Sequence, residues 1–514
     1  MSQTVQYFYR LSALLLIKVF FILSVILWAG IGLGPDEAQY WTWSQHLDWG
    51  YYSKPPGIAW QIWLGTQLAG QTELGVRLMT LFWGMGQAWL VYLLALQCRL
   101  KPRTAFWSGI LMAFSPLGMA GSFFAITDGG ALFFWSAACL VMVTALNNAK
   151  APSPYAVGLC LSAGALFKWP VYIFGIFYFC CWRRWYPHQS LKVIVGGAAL
   201  SLVSLLPSVW WNYHHDWVTF RHVSATLQGG HGSSGGNFFE FIGSQMLLIF
   251  PILFILLIIS YVLLLKERKI AGLSPQLTFC GSVTFACLLM AILLSFFQKI
   301  QGNWMAFAYP TAFVWLAWFY LEKNDWGIKW LQTNLIASVC LIAAVLMLPS
   351  LYGSKRWRPA FLSYRINPFK HNMGWMTLAD TLDKVGYDPL NSFLLSDKYQ
   401  TTSILNFYGA SQKKAYFLNL HQSRQNQFSY WPSFQEECIG ESGYFVWAEN
   451  QPYLEREWEA KWAFYQTELE KYFGQVEFLG FWPLLYEGSK TAKAVFIFKC
   501  SFCKNNALPQ TFLY

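Results

Sequence analysis

Long apolar segments follow one another with short connections from near the N-terminus to about residue 350. A helix needs ~20 apolar residues to cross a bilayer, because the hydrocarbon core is about 30 Å thick. Only 12% of the residues are charged, whereas soluble domains contain about one quarter. We therefore predict eleven membrane spans, near residues 11–33, 74–97, 104–123, 128–147, 155–168, 170–182, 190–210, 238–265, 275–297, 304–321 and 330–350. The first of them lacks a small-residue cleavage site, so we interpret it as a span rather than as a signal peptide.

Basic residues between the spans predict the orientation of the chain. If the N-terminus is cytoplasmic, most Lys and Arg of the short connections lie on the cytoplasmic side, as the positive-inside rule requires. The same bias explains the formal net charge of +11. Because no basic run resembles a nucleic-acid-binding module, we expect no nucleic-acid partner. With eleven spans, the C-terminal segment lies outside the cytoplasm.

The C-terminal segment differs in composition from the rest of the chain. Apolar clusters at 392–395 and 494–498 predict buried strands, and a helical pattern covers 454–472. The predicted fold class is a mainly α-helical polytopic membrane protein, in which residues 1–350 form the transmembrane domain with about eleven helices. Residues 351–514 are predicted to form a soluble extracytoplasmic α/β domain.

The polar segments contain two further features, a group of three cysteines and a glycine-rich stretch. Because the environment outside the cytoplasm is oxidising, Cys438 is a candidate for a disulfide with Cys500 or Cys503. Free thiols are equally compatible with the sequence. The stretch 228–236, QGGHGSSGG, predicts a flexible loop between two spans that orders around a substrate.

The first outer loop, about 34–73, is long enough to suggest a functional role. Asp36 and Glu37 follow the first span directly, although Pro35 before them is also typical of a helix start, where acidic residues are stabilising. Lys54 precedes two prolines in an aromatic-rich stretch, and prolines fix the backbone around the lysine. The aromatic residues alternatively belong to the interfacial belt of a membrane protein.

Further polar residues lie at the outer ends of later spans. Asp128 begins a span and is followed by two glycines, so it is either a site carboxylate or a helix cap. Lys168 lies between Phe167 and Trp169, where it either snorkels to the surface or lines a polar cavity. Two later outer loops contain the remaining candidates, His215 and Arg221 in WNYHHDWVTFRH, and Lys299, Asn303 and Trp304 in QKIQGNW.

One topology places the charged candidates on the same membrane face. A group of carboxylates and cations on one membrane face fits sugar transfer from a lipid phosphate. The cations neutralise the phosphate leaving group, and a carboxylate accepts the proton of an acceptor hydroxyl. Aromatic faces suit the sugar and the isoprenoid chain. The residues concerned are Asp36, Glu37, Lys54, Asp128, Lys168, Arg221 and Lys299.

Several motifs in this order resemble the GT-C superfamily of polyprenyl-phosphate-dependent glycosyltransferases. The chain is similar in particular to the bacterial branch of the protein O-mannosyltransferase family, which includes the lipid A aminoarabinose transferase. The motifs are Asp36-Glu37, YYSKPP at 51–56, Thr127-Asp128, FKWP at 167–170, KIQ at 299–301 before Asn303-Trp304, LSDKYQTTSILNFY at 395–408 and SRQNQF at 423–428.

The resemblance implies an inverting transfer of one sugar from an undecaprenyl monophosphate at the periplasmic face of the bacterial inner membrane. The acceptor stays open between lipid A, lipopolysaccharide, another envelope glycan and a protein. A transporter or flippase of a lipid-linked sugar is the alternative, but the chain lacks the repeated halves typical of transporters.

The resemblance also implies roles for individual residues. Asp36 would be the general base or the carboxylate that orients the acceptor, Glu37 a further catalytic carboxylate and Asp128 a supporting one. Lys54, Arg221 and Lys299 would bind the donor phosphate. No cofactor is required, although the three carboxylates have the chemistry to hold a divalent cation. The substrate cavity would be lined by Tyr40, Tyr52, Lys168, His215, Asn303 and Trp304.

Overall fold

Apolar helices make up most of the chain up to residue 353 in the computed structural model, which describes residues 2–227, 235–267, 272–324, 326–353, 364–452 and 458–505. The helices of this part are α1 (Gln3–Trp28), α2 (Pro35–Ser44), α3 (Gly57–Ala69), α4 (Glu73–Gln97), α5 (Pro102–Phe114), α6 (Pro116–Phe123), α7 (Thr127–Asn147), α8 (Pro154–Ala165), α9 (Phe174–Trp185), α10 (Leu191–Leu202), α11 (Leu205–Tyr213), α12 (Val218–Leu227), α13 (Phe238–Ile249), α14 (Pro251–Lys266), α15 (Pro275–Ser295), α16 (Tyr309–Trp318) and α17 (Ile328–Gly353). Short 3-10 helices at Trp169–Ile173 and Gly302–Ala308 and a π-helical turn at Phe319–Lys323 complete it.

The fold class is confirmed, but the predicted count of eleven spans is not. Within the described residues, six helices are long and apolar enough to cross a membrane, and three bent pairs raise the number to nine if each pair is one span. The predicted spans 155–168 and 170–182 coincide with α8 and α9, which have only 12 residues each. A helix of that length rises about 18 Å, well short of the hydrocarbon core.

Serine–proline pairs start several of these helices. Proline suits the first helical turn, and a preceding serine caps it. The Ser115 hydroxyl accepts a hydrogen bond from the Gly118 amide at 3.1 Å, and Ser153 and Ser274 cap α8 and α15 in the same way. At Ser115 the new helix leaves α5 at an angle of 57°, so this pair of residues bends a predicted span.

A buried lysine contacts this bend from α1. The Lys18 ammonium donates hydrogen bonds to the carbonyl oxygens of Ala113 and Gly118 at 2.7 and 3.0 Å and to the Ser122 hydroxyl at 2.8 Å. A bend leaves backbone carbonyls without their helical donors, and a buried carbonyl without a partner is costly. Lys18 therefore stabilises the broken helix.

The chain divides into two compact units. The first comprises Met1–Leu23, Asp48–Gly70 and Arg77–Ala344, and one large hydrophobic core runs through it. The second comprises Ser24–Leu47, Gln71–Val76 and Val345–Tyr514. The predicted domain bounds, 1–350 and 351–514, stay a prediction.

The second unit contains a five-stranded mixed sheet in the order β2-β1-β3-β5-β4. Strands β1, β2 and β3 are parallel, and β5 pairs antiparallel with both β3 and β4. The strands are β1 (Ser392–Ser396), β2 (Ala415–Phe417), β3 (Ser442–Asn450), β4 (Phe473–Glu487) and β5 (Lys490–Cys503), and the helices of this part are α18 (Leu378–Lys384), α19 (Tyr399–Tyr408), α20 (Phe434–Glu437) and α21 (Trp458–Glu470), with 3-10 turns at Tyr364–Ile366, Trp375–Thr377, Ala410–Gln412 and Gln427–Tyr430.

Three predictions for the polar segments have different outcomes. Of the helical pattern 454–472, residues 454–457 lie outside the described residues and the helix runs from Trp458 to Glu470. Of the loop 228–236, residues 228–234 also lie outside them. Cys438, Cys500 and Cys503 are buried free thiols in the core between the sheet and its helices.

Candidate functional site

In the first unit Asp128 is the centre of a small polar cluster. Its Oδ1 accepts a hydrogen bond from the Lys168 ammonium at 2.8 Å, and its Oδ2 accepts one from the Asn303 side-chain amide at 3.0 Å. The Asp128 and Lys168 side chains are only 10% and 13% exposed. The structure thus joins three predicted site residues, and Lys168 forms an ion pair with Asp128 instead of snorkelling to the surface.

Local sequence explains how these side chains meet. Asp128 lies in the first turn of α7, and a Cβ at Gly130 would lie 2.7 Å from the Phe167 ring, so the glycine lets the segment before Lys168 approach. On the other side, the Asn237 side chain bonds both backbone groups of Ile300, at 2.9 and 3.0 Å. These two hydrogen bonds fix the segment just before the 3-10 helix that carries Asn303.

The backbone around Lys54 is anchored at several points. The Tyr51 amide donates to the Lys54 carbonyl at 3.1 Å, the Thr219 hydroxyl donates to the Tyr51 carbonyl at 3.0 Å, and the Gly57 amide donates to the Leu166 carbonyl at 2.8 Å. Leu166 lies two residues before Lys168, so the Lys54 segment and the Asp128 cluster share one scaffold. The Tyr52 ring contacts His222 of α12, with ring centroids 5.2 Å apart.

The remaining predicted site residues of the first unit make contacts with nearby parts of the chain. The His215 ring stacks on Trp211 with centroids 3.9 Å apart and bonds the Trp211 carbonyl through Nδ1, which is a structural role. The Arg221 guanidinium on α12 donates to the carbonyl of Asp216, which lies just before that helix. Lys299 is exposed, and Trp304 donates from Nε1 to the Gln301 side chain at 3.0 Å.

The second unit contains the acidic pair of the first outer loop. Asp36 and Glu37 lie in the first turn of α2, as Pro35 predicts. The Gly34 amide donates to Glu37 Oε2 at 3.1 Å, so this buried carboxylate satisfies one of the amides at the helix start. The capping interpretation thus applies to Glu37. Tyr40, one turn further on, is buried and contacts the Trp43 ring.

Asp36 has a different environment, to which Tyr399 of the C-terminal domain contributes. Tyr399 begins α19, and its pKa is raised by burial and then by the nearby Asp36 carboxylate. The Arg424 guanidinium opposes this shift by its charge and by a hydrogen bond to the Tyr399 side chain. The three side chains therefore form an electrostatically linked group of a carboxylate, a phenol and a guanidinium.

The backbone leading to Asp36 is held by the same domain. The Tyr408 hydroxyl accepts from the Leu33 amide at 2.7 Å and donates to Glu73 at 2.9 Å. The Asn372 side chain donates to the Gly32 carbonyl at 3.2 Å, and a Cβ at Gly32 would lie 2.7 Å from the Tyr408 hydroxyl. This close approach needs a glycine and fixes the position of Asp36.

The sequence of this chain is similar to those of known glycosyltransferases. A family model described as dolichyl-phosphate-mannose-protein mannosyltransferase matches residues 53–211. The lipid A galacturonosyltransferase RgtD of Rhizobium johnstonii is 29% identical over 312 residues, which cover 59% of this chain and 64% of the relative's length.

Two crystal structures of ArnT from Cupriavidus metallidurans, with undecaprenyl phosphate and in the apo state, share the fold at TM-scores of 0.58 and 0.57. Their sequences are 14% and 15% identical to this one, and the alignments cover 97% and 95% of this chain and 100% and 98% of theirs.

The predicted resemblance to the protein O-mannosyltransferase family is confirmed. The region matched by the family model contains Lys54, Asp128 and Lys168 but neither Asp36 nor Arg424. The motifs 395–408 and 423–428 contain Tyr399 and Arg424 and already resembled the bacterial branch of this family. That likeness was the available signal for the two residues, which the sequence analysis did not assign to the site.

Asp128, Lys168 and Asn303 form one group within the first unit, and Asp36, Tyr399 and Arg424 form one within the second unit. That these groups serve one cavity stays a prediction. Among the residues that the structure describes, no three His, Cys, Asp or Glu side chains are grouped to hold a metal ion.

Proposed function

We propose that this protein is an inverting glycosyltransferase that moves one sugar from a polyprenyl monophosphate, with undecaprenyl phosphate as carrier, to lipid A or another envelope glycan. The observation that carries the proposal is the environment of Asp36, a carboxylate on a fixed backbone segment near Tyr399, whose side chain Arg424 hydrogen-bonds. The lipid A substrate named for RgtD and the undecaprenyl phosphate bound to ArnT support this choice of acceptor and donor.

In the proposed reaction Asp36 accepts the proton of an acceptor hydroxyl. The hydroxyl oxygen attacks the anomeric carbon from the face opposite the phosphate, the new glycosidic bond forms, and the bond from this carbon to the phosphate oxygen breaks. The anomeric configuration inverts, and polyprenyl monophosphate leaves. General base catalysis of this kind contributes about 10²- to 10⁴-fold to the rate.

Cations stabilise the departing phosphate in this scheme. Lys54 is proposed to bind the phosphate because its backbone is fixed by Tyr51 and two prolines, with Arg221 and Lys299 as further cations. A positive charge in a partly dry site stabilises an anionic leaving group more strongly than in water. The reaction therefore needs no metal, and a divalent cation at the carboxylates would be an addition to it.

Asp128 is proposed as a supporting group rather than a second base. Its charge is already balanced by Lys168 and its second oxygen is bonded to Asn303. Such a group fixes the cavity wall on which the Lys54 segment rests. We further propose that the chain lies in the bacterial inner membrane with a cytoplasmic N-terminus and a periplasmic C-terminal domain.

The test compares two neighbouring carboxylates in cells that lack the native protein. Asp36→Asn is expected to lower sugar transfer by about 10²- to 10⁴-fold, because the proton acceptor is lost. Glu37→Gln is the matched control, since a glutamine oxygen still accepts from the Gly34 amide, and it is expected to retain transfer within about tenfold. Mass spectrometry of envelope lipids and glycans measures the product as a gain of one sugar.

Two results would contradict the proposal. One is full transfer by Asp36→Asn at normal protein level. The other is a wild-type protein that changes the side of the membrane on which a lipid-linked sugar lies, without any covalent product, which is the behaviour of a flippase.

A further inference from the structure

The C-terminal domain contains a cavity that the proposed reaction does not use. Its volume is about 510 Å³, within the range of small-molecule sites. The residues that line it come from β3, α21 and two loops, and they are Lys398, His421, Trp447, Glu449, Ala460, Lys461, Phe464 and Tyr465. We call it the sheet-edge cavity.

The cavity lies where an open parallel sheet is expected to bind ligands. The chain runs from β1 to β2 on one side and then to β3 on the other, so the strand order reverses at β1. Ligands of such sheets bind beyond the carboxyl ends of the strands at this switch point. Lys398 follows β1 by two residues, His421 follows β2 by four, and Glu449 lies at the end of β3.

A buried carboxylate holds two of the lining residues in place. Asp397 Oδ2 accepts from the Tyr465 hydroxyl at 2.7 Å and contacts His421 Nε2 at 3.0 Å. The Asp397 side chain is 0% exposed, and its other oxygen, Oδ1, is buried with no hydrogen-bond partner among the described residues. An unsatisfied buried oxygen costs roughly 1–3 kcal/mol, so structures retain it where a ligand or water supplies the donor.

Aromatic surface forms the other part of the wall. The Phe464 ring stacks on His421 with centroids 5.3 Å apart and is 38% exposed. Trp447 lies beside Tyr465, and the Lys461 ammonium lies 5.5 Å from the Trp447 ring centroid. The cavity therefore combines flat apolar faces with charged groups at their edges.

The balance of charge selects the class of ligand. Two cations, Lys398 and Lys461, and the Glu449 carboxylate line the cavity, and Lys461 already bonds Glu449 at 3.3 Å. The Asp397 carboxylate adds a second negative charge behind the lining residues His421 and Tyr465. An anionic ligand would leave the carboxylates opposed to its charge. Hydroxyl groups both donate and accept, so a polyhydroxylated ring satisfies donors and acceptors at once while its flat face packs on an aromatic ring.

We propose that the sheet-edge cavity binds a saccharide through its hydroxyl groups. The inference goes beyond the proposed function, since the residues that line the cavity have no role in the proposed reaction. If the bound saccharide were also part of the acceptor of the sugar transfer, that additional role would rest on the proposed function.

The binding test uses the full chain in lipid nanodiscs free of sugar detergents. Methyl β-glucopyranoside and methyl β-galactopyranoside are the probes, measured by saturation-transfer difference NMR, and inorganic phosphate is the competitor. Saturable binding of at least one sugar is expected, with at least tenfold weakening in Lys461→Gln and in Phe464→Ala. Phe464→Tyr retains the aromatic face and is expected to restore binding, which excludes misfolding as the cause.

Matched controls come from the same domain. Lys471→Gln removes a lysine just beyond α21, and Phe502→Ala removes a phenylalanine that is 66% exposed on β5. Both are expected to leave sugar binding unchanged. The absence of saturable binding, equal binding in Lys461→Gln and Phe464→Ala, or displacement by an equal concentration of phosphate would each overturn the proposal.

The outcome is separable from that of the proposed function. Asp36→Asn is expected to lose transfer and to bind the probes like the wild type. Binding without transfer in the wild type would contradict the proposed function alone, and transfer without binding would contradict the sheet-edge cavity alone.

Discussion

The ion pair between Asp128 and Lys168 allows a quantitative test of the polar cluster in the first unit. The two charged atoms are 2.8 Å apart, which corresponds to an attraction of about 6 kcal/mol at an effective dielectric constant of about 20. Removing both groups from water costs most of this energy, but losing one partner leaves the other as an uncompensated buried charge. Lys168→Met and Asp128→Asn are therefore each expected to destabilise the protein by roughly 3–5 kcal/mol.

The double variant gives the decisive comparison. Asp128→Asn combined with Lys168→Met leaves no buried charge, and Asn303 still has a side-chain partner, so we expect a loss below about 2 kcal/mol. The free energy of unfolding is measured in mixed micelles by equilibrium titration with denaturing detergent. Losses below about 1 kcal/mol in both single variants, or strictly additive losses in the double variant, would refute the buried ion pair.

Three further predictions concern other buried or linked groups. Arg424→Gln removes the cation beside Tyr399, and we expect sugar transfer to fall about 10- to 100-fold with normal expression, whereas unchanged transfer would exclude Arg424 from the site. Lys18→Met leaves the carbonyls at the bend after α5 without this donor, so unfolding in mixed micelles is expected to require about 1–3 kcal/mol less, and an unchanged value would contradict the role of Lys18. Burial lowers the pKa of Lys493 to about 7, so the folded domain binds fewer protons than the unfolded chain. The stability of the C-terminal domain should therefore rise with pH between about 7 and 10.5, by up to roughly 1.4 kcal/mol per pH unit, and the contribution of Lys493 should level off below about pH 7, where the lysine is protonated in both the folded and the unfolded state. Hydrogen exchange in β5 as a function of pH measures this, and Lys493→Met should remove the effect; an equal pH dependence in this variant would contradict it.

The sequence predicts the membrane helices well because length and apolar content are read directly from it, but it predicts their ends less well. The first span was predicted at 11–33 and is α1, Gln3–Trp28. The polar residues 3–10 hide the start from a hydropathy argument, although backbone hydrogen bonds continue through them. At the other end, the glycines in AGIGLG lower helix propensity, and Gly32 instead approaches Tyr408 closely.

Residue types and membrane face also predict which side chains are candidates, but not which of them touch. Asp128, Lys168 and Asn303 were assigned to the same face, whereas their hydrogen bonds depend on tertiary packing around Gly130 and Asn237. Arg424 shows the limit most clearly. It is linked to Asp36 through Tyr399, which comes close to Asp36 because α19 packs on α2, and nothing in the local sequence of α2 or α19 specifies that contact.

The central claim is that one sugar passes covalently from a polyprenyl phosphate to an acceptor, and the stoichiometry of the reaction tests it most directly. The purified chain in nanodiscs is incubated with a polyprenyl-phosphate sugar fraction and lipid A, and both products are quantified by mass spectrometry. Equal molar amounts of free polyprenyl monophosphate and of lipid A heavier by one sugar are expected, and at most about one hundredth of either product with Asp36→Asn. Unmodified donor and acceptor with the wild-type protein, or equal product with Asp36→Asn, would contradict it.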